Sequence, residues 1–239
     1  MLLAIKKQFQ VQWKDWAEID GIIWGAGLIG ILILQVLLRL DPGSGEWFAL
    51  GTLIGGIAAV IFIVVVSTVQ ISICFNLQVS MGSTRKQFLI SWFVVLAVES
   101  VAAVLLLTAL CLCENRLYSM WYPNMKNEVD FLPYLIKYGI LAAVAVTALG
   151  SCCGALVMRF GKKAFWTLWI IWMVLWIGFP RIISAAEDAP GSFYGKIGSA
   201  VSRMFGAVPA SLWVALIIGA SLAGIALTCG LLRKQPVTR

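Results

Sequence analysis

Long apolar runs alternate with short polar connections along most of the chain. A helix needs about 20 mostly apolar residues to cross a bilayer. Six runs meet this requirement, and they cover residues 21–38, 47–75, 88–113, 132–158, 164–186 and 210–232. None shows the period-two alternation of a membrane β-barrel strand. The pattern therefore predicts an all-α membrane protein, with a six-span transmembrane domain over residues 21–239.

Two further segments have the pattern of amphipathic helices. In residues 1–20, apolar side chains recur every three or four positions, which predicts an interfacial helix on the membrane surface with tryptophan at the headgroups. The alternative is a short helix that simply begins the first span. Residues 187–209 have a similar periodicity between Pro190 and Pro209. They predict a short outer helix, amphipathic or re-entrant, before the last span.

Composition supports a membrane protein and excludes several classes. Apolar residues make up 61% of the chain and charged residues 12%, whereas soluble domains have about 25% charged residues. The chain contains no histidine, which excludes histidine-based acid–base chemistry and histidine metal sites. A soluble enzyme, a disordered chain and a disulfide-stapled secreted module are all excluded.

The distribution of cations predicts the orientation. With the N-terminus inside, eleven of the 18 Lys and Arg residues fall in inner segments and seven in outer segments. Because cytosolic loops carry the excess of Lys and Arg, both termini are predicted to be cytosolic in a multi-pass protein of the plasma membrane. The net charge of +7 reflects mostly this asymmetry, so we expect no nucleic-acid partner.

The sequence carries no recognisable catalytic or metal-binding motif. It has no phosphate-binding loop, no zinc-protease motif and no serine-hydrolase motif. The six cysteines lack the C-x-x-C spacing of zinc sites. We therefore expect that the chain is not an enzyme and binds no metal or cofactor itself.

Glu99 lies in the middle of the third span, where a carboxylate is expensive and marks a functional site or a buried pair. Three interpretations stay open: a protonated glutamic acid hydrogen-bonded between helices, a position on a cargo path, and a proton-coupling group. Gln70 is another polar residue within a span. Trp172 and Trp176 belong to a tryptophan series on the fifth span, which forms either a packing face or an aromatic wall. Together these four residues are the expected cargo path.

The most specific pattern lies between the second and third spans, at residues 80–88. A glycine-containing break follows an overlong span and precedes two cations and an apolar run. This stretch resembles the S-M-G-x-T-R-K-x-F segment of small permeases in the type 2 ABC-exporter family, in which it couples the permease to the ATPase subunit. The amphipathic N-terminal helix, the six spans and the amphipathic element before the last span are similar to that family too.

The resemblance implies a function and its partners. The residues that would contact the ATPase subunit are Met81, Gly82, Thr84, Arg85 and Lys86. ATP and magnesium would bind that separate subunit, and a second permease copy or a similar permease would complete the transporter in membrane lipid. The expected cargo is amphipathic or hydrophobic: a peptide, lipid or drug. The large extracellular domain of some relatives is missing, so functions that depend on it are not implied.

Other functions stay open on the sequence. A non-transporting membrane scaffold would use the same small-residue packing faces and would not depend on Arg85 or Lys86. A proton-coupled secondary transporter would be built around Glu99 and would work without ATP. An intramembrane enzyme has the weakest support, because the possible nucleophiles lack a base.

Overall fold

The computed structural model describes residues 2–40, 46–178 and 193–233, together with positions 181, 184 and 235. Its elements, in chain order, are α1 (Leu2–Leu40), β1 (Glu46–Phe48), α2 (Leu50–Ser80), α3 (Arg85–Trp121), β2 (Lys126–Val129), α4 (Leu132–Phe160), α5 (Lys162–Met173), a π-helical turn (Val174–Gly178), α6 (Phe193–Ala207) and α7 (Ala210–Arg233).

Within the described residues, α1, α2, α3, α4 and α7 are long and apolar enough to cross a membrane. The prediction of a helical chain is confirmed at this level, and these helices are compatible with the predicted multi-pass membrane protein. The predicted fifth span, 164–186, is helical as far as Gly178, and most of its remaining residues lie outside the description. The count of six spans therefore stays a prediction. The predicted outer helix corresponds to α6, whose position relative to a membrane is likewise a prediction.

The N-terminal segment differs from the expected pattern. α1 runs without a break through residue 20 into the apolar run, because residues 2–20 contain neither glycine nor proline to interrupt it. Two members of the predicted apolar stripe, Phe9 and Trp13, stay exposed. The buried face at this end instead begins with two polar residues, Gln8 and Gln12.

Glycines bring the long helices into close contact. A Cβ atom at Gly150 of α4 would lie 2.0 Å from the Ser67 hydroxyl on α2, and one at Gly154 would lie 2.3 Å from Ile71 Cγ2. This small-residue pair therefore lets α4 pack closely against α2. α4 also packs against α3 and α7, so it is the central helix of the bundle.

The end of the bundle at the α3–α4 connection contains two features that were not predicted from the sequence. The connection between the predicted third and fourth spans, residues 114–131, begins as the last two turns of α3, and the chain is not entirely helical. β1 and β2 form a two-stranded parallel sheet in which Glu46 is opposite Lys126. The prediction of an all-α fold is corrected by this sheet, which joins the α1–α2 and α3–α4 connections.

Glu114 holds the start of α2. Its side chain is fully buried, and its oxygens accept hydrogen bonds from Gly51 N at 2.8 Å, Thr52 N at 2.7 Å and the Thr52 hydroxyl at 2.8 Å. The first N–H groups of a helix have no partner within the helix, and the helix dipole favours a negative charge there. A carboxylate from α3 therefore caps the N-terminus of α2 in place of a residue of α2 itself.

Tyr118 lies one turn beyond Glu114 and adds a second fixed contact at the same end. Its hydroxyl donates to the Ile31 carbonyl of α1 at 2.9 Å, and its ring lies 4.8 Å from that of Trp47 in β1. The C-terminal end of α3 is therefore fixed to both α1 and the sheet.

Replacing Gly30 by alanine is expected to destabilise the bundle, because the new methyl group would lie 2.7 Å from the Gly51 Cα and 2.9 Å from the Leu50 carbonyl oxygen. We expect a loss of about 2 kcal/mol, typical of overpacking against an immobile neighbour. Thermal unfolding in detergent measures it. Gly25→Ala on the same helix is the matched control, since nothing lies within 4 Å of its Cβ position. Equal effects of the two changes would contradict the close approach.

Glu114→Gln is expected to lower the stability by about 2 kcal/mol, because an amide N–H₂ would replace one acceptor and the charge that faces the α2 terminus would be lost. Denaturant titration of the purified chain in mixed micelles measures this loss. Glu128→Gln is the control, because that side chain is exposed. If both variants unfold at the same midpoint, Glu114 does not hold the start of α2.

Candidate functional site

The turn between α2 and α3 is defined tightly on both sides. α2 ends at Ser80. Two residues later comes Gly82, whose φ of 85° is unfavourable for residues with a Cβ atom, and Ser83 N donates to the Gln78 carbonyl at 3.0 Å. α3 begins with a capping box, in which the Thr84 hydroxyl accepts from Gln87 N while Gln87 Oε1 accepts from Thr84 N. The turn, defined here as Met81–Thr84, therefore has a fixed shape.

The five predicted ATPase-contact residues divide into two groups. Met81 is 72% exposed, and Gly82 and Lys86 are exposed beside it. Thr84 caps α3. Arg85 Nη1 donates to the Arg233 carbonyl at 2.5 Å, which satisfies an end group of α7. Thr84 and Arg85 thus have roles inside the chain, whereas the other three are available to a partner.

Aromatic side chains connect the turn to the bundle core. Phe88, one turn into α3, packs edge-on against Phe75 of α2 with ring centroids 5.2 Å apart, and it stacks on Trp92 at 6.0 Å. Trp92 Nε1 donates to the Ser151 hydroxyl of α4 at 3.0 Å. All three rings are at least 98% buried, so a displacement of the turn would be passed on to α2, α3 and α4 together.

A network of buried amides connects the turn to α1. Gln78, near the end of α2, donates to Gln8 Oε1, and Ser91 of α3 donates to the same oxygen at 3.3 Å. Gln8 in turn donates to Gln12 Oε1 at 3.3 Å, and Gln12 donates to Gln70 Oε1 at 3.3 Å. With 1% and 2% of their surface exposed, Gln8 and Gln12 are core residues despite their polarity.

The sequence analysis missed the roles of Gln8 and Gln12. Their spacing of four residues puts them on one helical face, and this polar pair could have been identified as an interhelical contact. Gln70 belongs to the same network, because its Nε2 also donates to Asp15 Oδ2 of α1 at 2.7 Å. These hydrogen bonds hold α1 against α2, and the place of Gln70 on a cargo path stays a prediction.

Glu99 lies at the interface of α1 and α3. Its side chain is 7% exposed, and its buried Oε1 has no hydrogen-bond partner among the described residues. Two hydrogen bonds show which parts of α3 and α1 lie side by side. Ser91 bonds to Gln8, which is 83 residues earlier in the sequence, and Tyr118 bonds to Ile31, which is 87 residues earlier. This alignment places Glu99 level with residues 12–16 of α1.

Two other polar atoms on that part of α1, Trp16 Nε1 and Asp20 Oδ1, are also buried without a partner among the described residues. The hydroxyls of Ser100 and Thr147 lie 2.8 Å from each other and share a hydrogen bond. Buried side-chain atoms without a hydrogen-bond partner among the described residues also occur toward the two ends of the bundle, at Gln35 Nε2, Asn76 Oδ1, Gln78 Oε1 and Asn127 Oδ1.

Trp172 and Trp176 lie away from Glu99. Their ring centroids are 5.4 Å apart, and neither α5 nor the π-helical turn contains a buried residue. Trp176 lines an apolar groove of about 420 Å³ together with residues of α2, α3 and α4. The four residues of the expected cargo path are thus not brought together within one copy of the chain.

No group of three or more Cys, Asp or Glu side chains in the described part of the chain could hold a metal ion. The chain matches no protein-family model, no curated protein and no solved structure. The functional interpretation therefore depends on the residues and the geometry given above.

Glu99→Leu is expected to raise the stability by about 2 kcal/mol, because it removes a buried carboxylate whose Oε1 is unpartnered. Ser100→Ala, at the neighbouring position, is expected to lower the stability by about 1 kcal/mol through loss of its bond to Thr147. Unfolding titrations of both variants in micelles measure these opposite effects. A larger loss for Glu99→Leu than for Ser100→Ala would mean that Glu99 has a strong stabilising partner.

Proposed function

We propose that this chain is the membrane-spanning permease subunit of an ABC-type exporter, driven by separate ATPase subunits. The observation that carries the proposal is the Met81–Thr84 turn, which presents exposed Met81 at the end of the bundle and is connected to several helices. A turn that only reverses the chain needs no such connections. The sequence around it resembles the coupling segment of small type 2 ABC permeases.

The contacts of the turn support a mechanical role. Met81 and Gly82 would dock on the ATPase subunit, with Lys86 exposed beside them, while Thr84 and Arg85 keep the turn in shape. A push on the turn would reach α4 through Trp92, α7 through the Arg85–Arg233 bond and α1 through the Gln78–Gln8 bond. Close-packed helices transmit such a push as rigid bodies. ATP and magnesium would bind the ATPase subunit, and hydrolysis of the ATP would return the turn to its starting position.

The exposed face of α5 favours a second permease copy, or a similar permease, as another partner. Trp172 and Trp176 lie on an apolar segment that contacts mainly α4 of its own chain. A π-helical turn inside a helix is frequently found at a functional site. We propose that this segment faces the partner permease and lines a path for an amphipathic or hydrophobic cargo.

In this proposal both termini and the Met81–Thr84 turn lie in the cytosol, and the bundle lies in the plasma membrane. The excess of cations in the inner segments supports that orientation. Glu99 favours a second function, a proton-coupled transporter, because its unpartnered buried oxygen is a place where a proton could bind. The two functions differ in whether transport needs ATP.

Co-purification with ABC-type ATPase subunits of the source organism tests the proposal. We expect one of them to co-elute stoichiometrically with the wild-type chain in nanodiscs. Met81→Asp should reduce its binding at least tenfold, because a buried apolar contact of this size is worth more than about 1.4 kcal/mol. Met120→Asp is the matched control, since Met120 is 75% exposed at the opposite end of the bundle.

Comparing the two variants also excludes misfolding as the cause of weaker binding. Neither methionine makes a packing contact that its substitution would break in the core, so both variants should fold and unfold like the wild type. If no ATPase subunit binds the wild-type chain, or if Met120→Asp weakens binding as much as Met81→Asp, the exporter proposal fails. A proton-flux assay of Glu99→Gln in liposomes without ATP would then test the second function.

A further inference from the structure

A long apolar groove runs along the bundle between α3, α4 and α7. It encloses about 640 Å³, within the range of about 300–1,000 Å³ that is usual for ligand sites. Because α4 packs against both neighbours while α3 and α7 touch each other only weakly, a gap stays open between the two. Its walls are aliphatic and aromatic, with Leu89, Phe93 and Val101 from α3 and Ile140 and Val144 from α4 among them.

The two ends of the groove differ in charge. Lys86 and Arg233 line one end, and Arg85 lies next to them through its bond to the Arg233 carbonyl. The other end, near Val101 and Ile140, is apolar. No carboxylate belongs to the described residues that line the groove. The site therefore combines a cationic mouth with an uncharged channel.

The length of the groove fits a lipid chain. From Lys86 to Val101 the α3 backbone rises about 22 Å at 1.5 Å per residue, whereas one leaflet of the hydrocarbon core is about 15 Å deep. A chain that entered beside Lys86 would thus reach past the middle of the bilayer. The Lys/Arg distribution places the mouth at the cytosolic surface, where anionic lipids are found.

We propose that this groove binds an anionic phospholipid of the inner leaflet, with an acyl chain between α3 and α7 and the phosphate between Lys86 and Arg233. The guanidinium of Arg85 gives one donor to the Arg233 carbonyl and keeps others for the same phosphate. Charge complementarity selects a lipid anion over a zwitterionic lipid, and the apolar channel selects a lipid over a free phosphate. The bound lipid would fill the gap and hold α7 against α3.

Lipid binding can be measured on the purified full chain without any ATPase subunit, so its outcome is independent of the exporter proposal. The probes are phosphatidylglycerol and phosphatidylcholine with identical acyl chains, added to the protein in a non-ionic detergent and counted by native mass spectrometry. We expect one tightly bound phosphatidylglycerol. Lys86→Gln with Arg233→Gln should weaken it about thirtyfold, because each cation near an anionic headgroup contributes about 1 kcal/mol.

Two matched controls separate the groove from general surface effects. Lys162→Gln with Lys163→Gln removes two exposed cations from the α4–α5 turn, which lies outside the groove, and should leave the affinity unchanged. Ala97→Trp would block the channel and should abolish binding of phosphatidylglycerol. Val98→Trp, at a neighbouring position that is 53% exposed and outside the groove, should not.

Four results would overturn the proposal. Equal affinity for phosphatidylcholine would mean that the charges do not select the lipid. An equal loss of phosphatidylglycerol affinity in the Lys162/Lys163 variant would mean that the lipid is held by general attraction to surface cations. Retention of phosphatidylglycerol by Ala97→Trp would place the lipid elsewhere. Displacement of phosphatidylglycerol by millimolar inorganic phosphate would identify a free-anion site without a role for the channel.

Discussion

Helices in lipid gain little by burying apolar surface against one another, because the solvent is as apolar as the side chains. The bundle therefore depends on how closely its backbones approach, and this approach is set at Gly150 and Gly154 on α4. At these positions α2 comes so near that a methyl group would overlap Ser67 or Ile71. Once α4 is seated on α2, the α3 and α7 contacts follow from the remaining faces of α4, including the groove that the two outer helices leave between them.

Hydrogen bonds then fix what close packing leaves free. Near the C-terminus of α3, Glu114 and Tyr118 hold this helix against α2 and α1. At the opposite end, the glutamine network and Arg85 hold α1, α2, α3 and α7 around the Met81–Thr84 turn. Between these ends, Glu99 lies among polar atoms that lack partners.

The helices could be predicted from the sequence because lipid leaves an apolar run few alternatives: every backbone N–H and C=O must bond within its own segment. Residues 132–158 and 210–232 are accordingly almost the helices observed. The failures concern contacts between distant positions. In the sequence, Gln8, Gln12 and Glu114 look like ordinary polar residues. Their roles depend on contacts that only the fold supplies, with Gln78 and with the start of α2. The sheet was missed because its short strands are 80 residues apart in the sequence.

Glu114 also has a consequence for biosynthesis. The carboxylate that completes α2 is 63 residues downstream of the Gly51 N–H that it binds, and a ribosome needs roughly 3–13 seconds to add that many residues. During this interval the nascent hairpin of α1 and α2 has an open helix end, whose N–H groups must stay in contact with water. Insertion of α3 therefore completes α2 as well as itself, so these three helices mature in the membrane as one unit.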